Sequence, residues 1–172
     1  MSVIYEWRTP VFIFLGMVCG AAVLASAGEA PQDGVAKEAK SIVEAAAAYV
    51  RAHSEDMDAI RKALRSDPAF LNADRGLYVF LYFYDASKGE VICAAHGARE
   101  DFIGKNLWNV RTADGRFVLR EIIEMVEKRE QGWMEYKWLH PIKKKVQVKQ
   151  SYIIRLIFKD GRKALIGCGF WK

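Results

Sequence analysis

The side chains in this sequence best suited to recognition are rings and cations. Trp133, Tyr136 and Trp138 fall within the stretch GWMEYKWLHP, which then stops at a proline. His96 closes the run VICAAH, Lys149 sits in VQVKQSY, and Arg120 lies in RFVLREIIEMVEKREQ. A buried Tyr or Trp needs a partner for its polar atom, and aliphatic packing does not supply one. An imidazole, an ammonium and a guanidinium aimed among such rings could line a pocket for a small molecule. Reaction chemistry has less support. Asp85, Glu90, Glu135 and Asp160 lie at turns or beside lysines, and no Ser-His-Asp arrangement suggests itself. The expectation is a binding protein that is not an enzyme, with a ligand-free interaction module as the alternative. CxxC, HExxH and paired Cys/His spacings are absent, so neither a metal nor a cofactor is expected.

Elements with two different periods must hold these residues. From 35 to 65 the apolar positions Ile42, Ala46, Tyr49, Val50, Met57, Ile60 and Leu64 recur at three- and four-residue steps. That is one helical stripe, either a single long helix or two broken near Ser54. LYVFLYFY (Leu77 to Tyr84) and the run from Glu90 to Ala95 then read as a strand hairpin across Asp85–Gly89. The segment 97–109 is irregular, and a helix opens after Asp114-Gly115. Three more strands follow, Trp133–Leu139, Val146–Phe158 and Ala164–Trp171. The predicted fold is α+β: a long N-terminal helix packed on a five-stranded antiparallel sheet.

Strand alternation sorts the candidates by face. Tyr136 and Trp138 share one face and Trp133 takes the other unless a bulge intervenes. Tyr78, Phe80, Tyr82 and Tyr84 fall together, as do Ile92, Ala94 and His96. Lys149 and Tyr152 cannot both point inward. Gly167 and Gly169 share a face with Trp171, opposite Cys168 and Phe170. A strand glycine often marks a close approach to the sheet.

The chain has 172 residues and a net charge of +5, which suits one domain. Its one tight basic cluster, Lys143-Lys144-Lys145, sits between two strand-like runs and reads as a solvated turn, so no nucleic-acid partner is expected. The uncharged run Val11 to Ala27 follows Arg8 and ends in Ala25-Ser26-Ala27, the small-x-small pattern of a cleavage site. The expected organisation is a signal peptide over 1–27, a short linker over 28–34 and one domain over 35–172. An uncleaved anchor is the alternative, and only that form would contact a membrane. Cys93 and Cys168 would remain in the mature protein, and both lie in strand-like apolar runs where free cysteine serves as a small core residue.

Seven short motifs occur in an order that resembles a single Cache domain of the second type. They are YFYD, the AHG of Ala95 to Gly97, IGKNLW, DGRF followed by REI, GWMEYKWLHP, KQSY and IGCGFW. The resemblance covers about 35–171. It implies an extracytoplasmic PAS-like sheet behind a long helix, and a small organic acid held between the sheet and the loop-helix segment capping it. The contacts it implies are Tyr84, His96, Arg120, Trp133, Tyr136, Trp138 and Lys149. Charge-assisted hydrogen bonds from such donors offset the cost of burying a carboxylate. Two departures stand out. Leu139-His140 precedes the proline where asparagine is usual, and no output module follows Trp171. The expected protein is therefore periplasmic, binds an acid of two to four carbons, and acts through a separate membrane sensor or transporter.

Overall fold

Small side chains set the first helix against the sheet. In α1 (Gly34–Ala52) the buried positions are Ala36, Ala39, Ile42, Val43, Ala46, Ala47 and Val50, a stripe whose alanines let the helix axis approach the strands. The computed structural model describes residues 34–140 and 142–172; the apolar leader read from the sequence lies outside them. α1 stops at Ala52, and Asp56 caps a second helix, α2 (Met57–Ser66), by accepting the Ala59 N–H at 2.9 Å. The helical stretch is thus two helices, broken at 53–56. Ile60 and Leu64 bury the inner face of α2.

The strands are β1 (Leu71–Asn72), β2 (Leu77–Asp85), β3 (Glu90–His96), β4 (Gln131–Leu139), β5 (Val146–Ile157) and β6 (Lys163–Trp171). The five long ones run in the order β3–β2–β6–β5–β4, every neighbour antiparallel, while the two-residue β1 pairs with the start of β2. The outer edge of β3 is covered by its own downstream loop. Leu107 N–H donates to the Val91 carbonyl, and Cys93 exchanges backbone bonds with Gly104 and Lys105. Covering an edge in this way removes a site of unwanted strand pairing.

Each face of the sheet buries its own core. α1 and α2 cover one face, against Leu77, Val79, Leu81, Tyr152, Ile154, Ile166 and Phe170. The other packs on α3 (Val118–Arg129), through Val118, Leu119, Ile122, Ile123 and Val126, and on the loop 97–117. Cys168 belongs to the first core and Cys93 to the second. Both are free, and burial pushes each thiol up to about 12. Cysteines on opposite faces of one sheet cannot bridge.

The two strand glycines have separate reasons. A side chain at Gly167 would run into the ring of Phe80, its partner across β2. One at Gly169 would strike Ser151, its partner across β5. Gly169→Ala is expected to lose about 2 kcal/mol or more of stability, because backbone and not only a flexible side chain lies in the way. Urea denaturation measures this, and an unchanged midpoint would refute the close approach.

Candidate functional site

A bulge decides which way His96 points. In the β2–β3 pair Leu81 faces Ala95, but Tyr82 faces Cys93, so Ala94 is the extra residue. Regular alternation would keep His96 on the side of Ile92 and Ala94. The bulge instead brings it to the α3 side with Val91 and Cys93, which corrects the simple parity reading. The Ala94 carbonyl accepts from Arg61 Nε of α2 at 3.0 Å, which helps hold the distortion.

On that side a cavity of about 20 Å³ lies between the sheet and α3. Tyr78, Phe80, Tyr82, His96, Tyr136, Trp138 and Lys149 line it from the sheet, and Val118, Leu119 and Ile122 close it from α3. Such a volume is room for about one water molecule. No carboxylate is among the lining side chains.

Lys149 dominates the electrostatics. It is 2% exposed, and Nζ donates to the Tyr78 hydroxyl at 2.6 Å. Around the ammonium lie ring faces, with centroids 3.8 Å away for Tyr78, 5.1 Å for Trp171 and 5.6 Å for Phe80. Cation–π contacts ease a buried charge without neutralising it. Burial therefore pushes the amine down to about 7. Tyr78, with its lone pair engaged by Lys149, keeps its own proton for a further acceptor. Its pKa is raised chiefly by burial, so it stays a donor.

His96 is held neutral. Nδ1 accepts the backbone N–H groups of Ala98 and Arg99 at 3.1 and 3.0 Å, which places the ring proton on Nε2. Burial, then the nearby Lys149 and Arg99 charges, depress the imidazole to about 3. Tyr136 shares a 2.9 Å hydrogen bond with Ser151 Oγ, and burial raises its phenol to about 12. That bond sits over Gly169, whose missing side chain leaves the space for Ser151. Trp138 meets Tyr136 edge-on at 5.9 Å. It also lines an outer cleft of about 430 Å³ with Arg99, Arg111, Lys137, Phe102 and Val146. The indole thus stands between a basic mouth and the inner hollow.

Of the residues the sequence nominates, His96, Tyr136, Trp138 and Lys149 come together. The other three lie elsewhere. Trp133 is on the α1 face, 5.1 Å from the ring of Tyr152 and 6.1 Å from that of Phe170. Tyr84 is on the correct face but further along β2, where its hydroxyl donates to Glu127 at 2.6 Å. Arg120 points away from the cavity: it donates to the Trp108 carbonyl and to Asn109 Oδ1, and stacks over Phe117 at 3.8 Å. It thereby ties α3 to the capping loop. Tyr78, Phe80 and Tyr82, one face of β2 by alternation, line the cavity as well, although the resemblance does not imply them. Their register against His96 is what places them at the cavity. Among the described residues no group of His, Cys, Asp or Glu is placed to hold a metal ion.

This architecture has relatives. The pattern of the family described as Single Cache domain 2 matches residues 27–157. The chain belongs to that family. Single Cache domains are ligand-sensing domains that work outside the cytoplasm, in signalling proteins such as chemotaxis receptors. Solved structures share the Cache fold at low identity. A periplasmic sensor domain of a chemotaxis protein is 22% identical, with a TM-score of 0.57 over 78% of this chain and 88% of that one. A Cache chemosensory domain described for carboxylic acid recognition is 15% identical, with a TM-score of 0.61 over 80% of this chain and 92% of that one. A methyl-accepting chemotaxis protein from Vibrio parahaemolyticus is 21% identical, with a TM-score of 0.61 over 78% and 86%. No curated protein matches the chain. Among the described residues no helix of this Cache domain is long and apolar enough to cross a membrane.

Proposed function

We propose that this Cache domain senses a short organic acid of two to four carbons from the periplasm, as an exported protein acting through a separate membrane partner. One observation carries the reading: Lys149 is a buried ammonium with rings and a phenol around it and no counter-charge in the cavity wall. A carboxylate supplies that charge. In the proposed complex its oxygens accept from Lys149 Nζ, from the Tyr78 hydroxyl and from His96 Nε2. Tyr136 and Trp138 then enclose the carbon chain. Donors pre-placed by a bulge, a loop and a strand lose little freedom on binding.

The cavity's size bears on which acid fits. With room for about one water, the wall formed by Trp138 and α3 must move outward for any acid, and the shortest need the least movement. The basic mouth at Arg99, Arg111 and Lys137 favours anions on the way in.

Thermal-shift and calorimetric titration with formate, acetate, propionate, butyrate and succinate test this. At a hundredfold excess over Kd the binding acid is expected to raise Tm by roughly 5 °C or more. If none of them binds at millimolar concentration, the acid-sensing reading is wrong and a ligand-free interaction module takes its place.

A further inference from the structure

The tip of the β4–β5 hairpin carries a surface that the acid site does not use. Leu139, Ile142 and Val146 are exposed there, Ile142 at 76%. Ile142 and Val146 flank the run Lys143-Lys144-Lys145, none of which has an ion pair among the described residues. The turn is held to the body of the sheet. His140 Nδ1 accepts the Ile142 and Lys143 N–H groups, each at 3.2 Å, and its ring lies 4.4 Å from that of Trp171.

The position of this tip is informative. β2 starts and β6 finishes at the same end of the sheet, where Lys149 pairs with Trp171 and the Lys172 N–H donates to the Val148 carbonyl. The first turns of α1 are there too, since Glu38 binds Asn72 and Arg75 just before β2. In the sequence, the uncharged run Val11 to Ala27 precedes Gly34 by only a short linker. The described chain therefore enters the domain at the end that carries the hairpin tip, and in the form that keeps that run as an anchor the bilayer is on this side.

We propose that the tip docks on a bilayer surface bearing anionic phospholipid headgroups. Ile142 enters the interface, flanked by Leu139 and Val146, and the three lysines meet the phosphates. Apolar side chains beside a run of cations combine the two terms that hold a segment at an anionic interface, buried apolar area and attraction to the headgroups. Area argues against a protein partner: a stable interface takes about 800 Å² from each side, which one protruding turn does not offer. Each lysine near an anionic surface strengthens partition by about fivefold, and the three together by on the order of a hundredfold. This inference does not depend on the acid site.

Limited trypsin digestion of the full chain, reconstituted into bilayers with or without phosphatidylglycerol in phosphatidylcholine, tests it. Cleavage at Lys143–Lys145 is expected to slow roughly tenfold in the anionic bilayer and to recover in 0.5 M salt. Lys88 and Lys159, exposed in the turns at the opposite end of the sheet, serve as controls and are cut equally in both bilayers. Ile142→Asp is expected to abolish the protection while leaving the controls unchanged. Equal cleavage of the tip in both bilayers overturns the proposal and points to an acidic protein face instead. Protection by phosphatidylcholine alone overturns it as well.

Discussion

Lys149→Met is expected to make this Cache domain more stable and, at the same time, blind to acids. The two effects share one cause. An ammonium moved from water into a wall of rings loses hydration that Tyr78 and three aromatic faces do not replace, which is why burial drags the amine down to about 7. Methionine has nearly the same length, fills the same path between β5 and β2, and brings no charge. Replacing buried ionic groups by apolar ones of similar shape commonly gains 1–4 kcal/mol. Against this, the Tyr78 hydroxyl loses its partner, a cost of about 1–3 kcal/mol. The expected net gain is about 1 kcal/mol, read by urea denaturation at pH 6, where Lys149 is charged. The ligand loses its only full counter-charge in the cavity and should bind at least a hundredfold more weakly. A variant that loses stability and still binds would make Lys149 a structural pin.

Much of this site could be read from strand alternation alone. Tyr136 and Trp138 on one face with Trp133 on the other, and Lys149 opposed to Tyr152, follow from a two-residue period that β4 and β5 keep without interruption. The bulge at Ala94 could not be read that way. Two alanines in a row carry no mark of which one is extra, yet that extra residue is what turns His96 towards Lys149. Tyr84 illustrates a different gap: alternation gives the face but not the distance along it, which depends on how β2 registers with β3 and β6. Charge alone singles out Arg120, whereas its helical neighbours Val118, Leu119 and Ile122 form the wall. The fold was more legible than the site, because periodicity repeats over many residues and a cavity depends on a few exact contacts. Its volume is the difference between packed side chains, and no local pattern encodes that difference.

Acid binding and the stability of the free Cache domain should respond to pH with opposite signs. Lys149 titrates near 7 in the folded protein and near 10.5 when unfolded. Between those values the unfolded chain holds more protons, so the stability of the free protein rises with pH across that window. His96, depressed to about 3 from an ordinary 6.5, adds a second rise between those two values and is neutral above them. Binding reverses the first slope. A carboxylate favours the ammonium and raises its pKa in the complex, so above pH 7 each binding event takes up a proton. The association constant is then expected to fall about fiftyfold between pH 7 and pH 9, approaching tenfold per pH unit above the midpoint. The ligand does not confound the measurement, since an ordinary carboxylic acid is fully ionised throughout that range. Calorimetry in buffers of different ionisation enthalpy measures the proton uptake directly. A lysine kept only for structure would give the rise in stability with no change in affinity, and affinity that stays flat from pH 7 to 9 would remove Lys149 from the binding site.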